Sequence, residues 1–301
     1  MSLAVAIPCG IAAAVAYGGA TAVQHSAAHT GTGEADAVGL LRLLTSPRWW
    51  LSVAGDGVGL LLQVIALATG PVVLIQPLLV LALPVSLIVG FLIGGPRPRG
   101  ADYGACASII AGLAVFFVLV GDPGDGEPLR PGAALVTILI GLAVGAAILL
   151  AVRGRRPAIR AVGYGCVAGG FFGMVGVMIN TVAQTFDASS WSGFAHPEGL
   201  VPLIGGLALG ALGFTLTQIS FQIGALGASF PANESTAPLV AVLLGAVLLH
   251  EEVPLSPWYV IGYVLCFAAI VYGTIRLANS PSLEHAPESA DASAVAETGR
   301  G

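Results

Sequence analysis

Residues 71–93 read PVVLIQPLLVLALPVSLIVGFLI, a run without a single charged side chain. The hydrocarbon core of a bilayer is about 30 Å thick, and roughly 20 apolar residues of helix are needed to cross it. This stretch is long enough. Inside lipid it must satisfy its own backbone hydrogen bonds, which makes it a helix. Cutting the chain at charged and Pro/Gly-rich breaks leaves further segments of the same kind at 3–28, 48–69, 102–120, 131–152, 161–186, 199–222, 225–249 and 257–277. The expectation is an all-α membrane protein with nine transmembrane helices, multi-pass in the cell (cytoplasmic) membrane, with the lipid bilayer as its first partner.

Composition agrees: 56% of residues are hydrophobic, 9% are charged and the mean hydropathy is +0.92, far from soluble globular usage. All 11 basic residues are arginine and the formal charge is only -5, which excludes a nucleic-acid-binding surface. Cys9, Cys106, Cys166 and Cys266 lie inside apolar segments without metal-ligand or CxxC spacing and read as packing residues. No nucleophile–base pair, Walker sequence or HExxH motif occurs. The expectation is therefore no catalytic residue, no enzyme, no nucleotide-driven pump and no cofactor. Abundant glycine, alanine and arginine with no lysine points to a GC-rich bacterial genome.

Arginine-rich short loops stay in the cytoplasm. With the N-terminus outside, Arg42, Arg48, Arg97, Arg99, Arg153, Arg155, Arg156, Arg160, Arg276 and Arg300 fall inside and Arg130 alone falls outside. The C-terminus is then cytoplasmic, and the acidic 122–127 loop and the His250-Glu251-Glu252 turn face outward. Met1-Ser2-Leu3 carries no basic residue, so the first span is expected to remain on the mature protein. The segment 279–301, rich in Ala, Ser, Glu and Pro, reads as a disordered cytoplasmic tail.

The chain resembles itself at an offset near 155. Gly10, Gly18, Gly55 and Gln63 fall on Gly165, Gly173, Gly210 and Gln218, while Pro77 and Pro84 fall on Pro231 and Pro238 at 154. This order across consecutive spans predicts two four-helix repeats, 1–120 and 156–278. The linking fifth span, in 121–155, makes the second repeat enter the membrane from the opposite side, a recurring secondary-transporter plan.

Ionisable groups inside the hydrocarbon are costly and face the protein interior or a wet cavity. Two acids qualify, Asp56 within Gly55-Asp56-Gly57 and Glu234 within Pro231-Ala232-Asn233-Glu234-Ser235-Thr236-Ala237-Pro238. Pro231 and Pro238 remove backbone donors, as Pro77 and Pro84 do around Gln76, so helix breaks are expected at all four prolines. Tyr17, Gln63, Gln76, Gln218, Asn180 and Asn233 form a second polar set for binding a substrate or coupling ion. Gln24, Gln184 and Gln222 are lesser members, and any amide here could equally serve as interhelical glue. The glycines at 165, 169, 170, 173 and 176 read as close-packing positions. Trp49-Trp50 beside Arg48 reads as an interfacial anchor.

Three stretches carry a family resemblance: Arg48-Trp49-Trp50, Gly70-Pro71-Val72-Val73-Leu74-Ile75-Gln76-Pro77-Leu78, and Thr217-Gln218 followed by Gly224-Ala225-Leu226. Together with the order of spans, including the unpaired fifth, they make the chain similar to the drug/metabolite transporter (DMT) superfamily, EamA-like. Within it the chain looks most like the nine-span NIPA branch of magnesium-transporter-like proteins. It departs from that branch at Gln24-His25-Ser26, where the pattern is basic, and at Gly94-Gly95, where it is acidic. The resemblance implies a DMT fold and alternating-access transport of a small molecule or cation, often in exchange for protons.

The leading expectation is a transporter whose cavity is lined by the first, second, sixth, seventh and eighth spans. Glu234 binds a cation or proton, with Asp56 as a secondary charge partner and a second copy of the chain as a candidate partner. Two alternatives stand beside it. One is a Mg²⁺ or other divalent-cation transporter using Glu234 and Asp56 as metal ligands; the other is a non-transporting scaffold or regulatory subunit.

Overall fold

The computed structural model describes residues 2–29, 47–95, 97–124, 126–223 and 226–280. Among the described residues there is no strand, and nine helices are long and apolar enough to cross a membrane. They are α1 Leu3–His29, α2 Pro47–Thr69, α3 Val72–Leu92, α4 Gly100–Val120, α5 Pro131–Val152, α6 Pro157–Ser189, α7 Pro197–Ile223, α8 Leu226–Leu248 and α9 Pro257–Ala278. The tail expected to be disordered lies, from residue 281 on, outside the described residues.

Local chemistry explains the ends. Proline opens α5, α6 and α9, where its missing N–H costs nothing and its fixed φ suits the first helical turn. Asp102 caps α4 by accepting the Arg99 N–H at 2.7 Å, and Gly121, with φ 69°, ends that helix. After α8 the chain turns through His250 in the left-handed region, φ 55°. The Glu251 N–H then bonds back to the Gly245 carbonyl at 3.2 Å.

The four prolines act differently in their two helices. In α3 the residues between Pro77 and Pro84 include a 3-10 turn, Leu79–Leu81, because Pro84 offers no N–H to the carbonyl one turn before it. The break expected at Pro231 and Pro238 does not occur: α8 is α-helical from Leu226 to Leu248 with both prolines inside. Each proline leaves one carbonyl a turn earlier without its helical donor, and the glycine row of α6 grips the stretch that follows.

That grip is close. A Cβ at Gly169 would overlap the Asn233 carbonyl oxygen, and one at Gly173 would meet the Ala237 carbonyl oxygen at 2.5 Å and Val240 Cβ at 3.0 Å. On α1, a Cβ at Gly18 would overlap the Ala82 carbonyl oxygen and meet Val85 Cβ at 2.8 Å. Each partner in the Gly173 contact stands 155 positions after its counterpart in the Gly18 contact. The pairings also run in parallel: α1 packs on α2 and on the second half of α3, and α6 packs on α7 and α8. α4 pairs with α9, α5 leans on α6 and α7, and α8 meets both the first half of α3 and α9.

Helix α3 is the centre of the bundle, with 67% of its span buried against 17% for α5. Exposed Leu135, Val136, Leu139, Ile140 and Val144 on α5 make an apolar face of the extent that membrane contact accounts for.

Candidate functional site

Six helices, α1, α2, α3, α6, α7 and α8, surround one cavity of about 920 Å³. The sequence led to five of these; the third span is the addition. It enters because the turn at Leu79–Leu81 sits against the cavity, presenting Gln76, Leu79, Val80 and Leu83 to it. The lining is mostly aliphatic and aromatic, including Phe172, Phe186 and Phe230, with a few polar groups set into it.

Glu234 lines the cavity from the α8 side and is half-buried. Among the described residues it has no hydrogen bond or ion pair. Its neighbour Asn233 is 5% exposed, and its Oδ1 has no hydrogen-bond partner there. From α3, Gln76 is 4% exposed and its Nε2 likewise lacks one. The Gln76 amide fits against Gly176 of α6, where any Cβ would overlap it. Glu234, Asn233 and Gln76 therefore line one cavity together, two of them with a buried polar atom that lacks a partner among the described residues, and buried polar groups are rarely left so.

The Tyr17 hydroxyl donates to Gln63 Oε1 at 2.8 Å, and both residues line the cavity. Gly59 lies against the Tyr17 ring, where a Cβ would meet Cδ1 at 2.8 Å. Asp56 is half-buried on α2 and outside the cavity lining. Pro238 also lines the cavity, and Pro77, Pro84 and Pro231 are buried outside the lining.

Asn180 stands elsewhere. It is 1% exposed, and its Nδ2 donates to the Leu67 carbonyl at 2.8 Å and to the Gly70 carbonyl at 3.3 Å. Its Oδ1 accepts from Gln184 Nε2 at 2.7 Å. This amide ties α6 to the turn between α2 and α3, and it takes no place in the cavity lining. The side chains of Gln24, Gln218 and Gln222 lie outside the described residues, as do those of Arg48 and Trp49.

Sequence reasoning passed over Glu251, which it read only as part of an outward turn. Its side chain is 3% exposed, with Oε1 accepting the Val72 N–H at 2.7 Å and Oε2 the Val73 N–H at 2.8 Å. Both donors belong to the first turn of α3, where unpaired N–H groups and the helix dipole favour an anion. Burial pushes the Glu251 carboxyl above the ordinary carboxylate range, and the two backbone donors pull it back. One available signal was an acid directly after an apolar span in a chain with few acids. Asp187, exposed at the cavity margin, was also passed over.

A bundle of nine membrane-length helices with an apolar outer face and a polar-studded internal cavity is a multi-pass membrane protein. No protein-family model matches the chain, and no solved structure matches it. An uncharacterised protein of Corynebacterium glutamicum is 29% identical over 247 residues, covering 81% of this chain and 83% of that protein. Among the described residues no three His, Cys, Asp or Glu side chains gather as a metal site would require.

Proposed function

We propose that this protein is a secondary transporter of the drug/metabolite type, moving a small, positively charged organic solute across the cytoplasmic membrane by alternating access. The observation that carries the reading is Glu234, a carboxylate set in a mostly apolar cavity of about 920 Å³ without a hydrogen bond or ion pair among the described residues. An intramembrane acid is costly to maintain and is by default functional. A cavity of that size has the volume of about 30 waters, room for an organic molecule. Its aromatic and aliphatic walls suit an apolar body, with Gln76 and Asn233 as polar residues of the lining beside Glu234.

Two inverted four-helix repeats joined by α5, with the N-terminus outside, form the architecture of this reading. The Gly18 and Gly173 contacts, related by 155 positions, support the repeat; the arginine count supports the orientation. Asp56 lies outside the cavity lining and Asp187 is exposed at its margin, and no three His, Cys, Asp or Glu side chains gather among the described residues, fewer charged ligands than a tight hard-cation site uses. This weighs against the magnesium reading. A scaffold would have no use for a large cavity lined by an acid that has no bonded partner among the described residues.

The test is thermal unfolding of the detergent-purified protein against organic cations, amino acids and divalent cations, with Glu234→Gln in parallel. A ligand that binds the folded state stabilises it by mass action. An organic cation that stabilises the native protein and loses its effect in the variant supports the reading. Stabilisation by Mg²⁺ alone, or by nothing, refutes it.

A further inference from the structure

At the end of the bundle where α2 runs into α3, several parts of the chain are tied together. The Glu251 carboxylate holds the first two N–H groups of α3. The Glu127 N–H donates to the Leu249 carbonyl at 2.7 Å and the Glu252 N–H to the Pro123 carbonyl at 2.8 Å, so the segment before α5 is laced to the turn after α8. Asn180 holds the Leu67 and Gly70 carbonyls. Leu67, Val72 and Leu249, which take part in these ties, belong with Ala6, Ala66 and Ile75 to one apolar cluster in which each is 0% exposed.

The tie through Glu251 differs from the others in kind. Like the Asn180 clamp it joins the segment proposed as the first repeat to the second, its donors 179 and 178 positions from the carboxylate, but it alone among these ties is made by a charged side chain. Three local features aim it: the left-handed turn at His250, the absence of a side chain at Gly245, where a Cβ would sit 2.8 Å from Oε2, and at Gly126, where one would sit 2.9 Å from Cγ. A charged acceptor on a helix N-terminus makes strong, directional bonds, while burial of the carboxyl opposes them. Such a contact is specific when made and releasable when water reaches it.

We propose that Glu251 is the latch of the gate at this end: docked on α3 it seals the cavity, and its release lets the two halves part to open it. The inference rests on the transport reading above and adds the residue that controls one side of it. In the proposed orientation this is the external gate.

The experiment reads access to the cavity and needs no known substrate. Ala68 lines the cavity one residue before the end of α2. Ala68→Cys is labelled with a membrane-impermeant maleimide in membrane vesicles of both orientations, against the background of the native cysteines. From the latch side, labelling is expected to be slow in the otherwise native chain and about tenfold faster or more with Glu251→Gln, which keeps the shape but loses the charge and one acceptor; tenfold corresponds to about 1.4 kcal/mol. Glu252→Gln, on an exposed side chain of the same turn, should leave the rate unchanged. Should Glu251→Gln fail to fold, Glu251→Asp carries the test, since its carboxylate ends one methylene short and should open the gate to an intermediate degree. Equal labelling in the native, Gln and Asp chains overturns the latch. A faster rate with Glu251→Gln, in a protein that no solute stabilises, keeps the latch and counts against the transport reading alone.

Discussion

Replacing Glu234 by glutamine removes the charge and keeps the shape, so its effect can be worked out in advance. Among the described residues the carboxylate has no bonded partner to lose; unliganded stability should therefore hold or rise slightly, since an isolated charge in an apolar setting is costly. A bound cation about 4 Å away gains about 4 kcal/mol at an effective dielectric of about 20, before desolvation is subtracted. Removing one partner of a buried charge pair costs about 2–5 kcal/mol. Near the lower end, about 2.7 kcal/mol, the ligand binds about 100-fold more weakly. At a concentration 100 times the native Kd, that ligand stabilises the native protein by about 2.7 kcal/mol and the variant by only about 0.4 kcal/mol. Thermal unfolding across a ligand titration measures both numbers. Equal stabilisation of the two proteins would refute the assignment of Glu234 as the cation-binding group, whatever the ligand.

The α6–α8 contact predicts that Gly169→Ala, whose Cβ overlaps the Asn233 carbonyl oxygen, destabilises the protein by about 1–3 kcal/mol, the usual cost of overpacking. Gly90→Ala, with open space around it, should not; thermal unfolding in detergent compares the two. Asn180→Ala leaves the Leu67 and Gly70 carbonyls without their donor and should cost about 1–3 kcal/mol while ligand affinity, measured by the same titration, stays unchanged; a selective loss of binding would make Asn180 part of the site. A periplasmic-type reporter fused after Arg276 should be inactive if the C-terminus is cytoplasmic, and strong activity would reverse the orientation.

Helix number and approximate limits were legible in the sequence because the bilayer imposes a local rule: each span must be long, apolar and internally hydrogen-bonded. Its edges were less so. α6 extends to Ser189 and not 186, since the polar residues after Ala183 continue its backbone bonding beyond the apolar stretch. Tyr17, Gln63, Asn233 and Glu234 stood out as polar groups in apolar runs, and that contrast is also local. Their common cavity was not readable, because membership depends on how each helix is rotated about its axis and on how closely its neighbours approach.

The division follows from the range of the interactions. Composition and arginine placement alone determined that this chain crosses a membrane many times and marked a few costly polar groups inside it. The tertiary structure decided which of those groups meet. Gln76 came into the cavity through the turn at Leu79–Leu81, Asn180 went to a backbone clamp, and Glu251 found the start of a helix nearly 180 positions away. Sequence spacing carries no record of such encounters. The glycine rows that bring α8 against α6 and α3 against α1 fix them by letting backbones approach to contact.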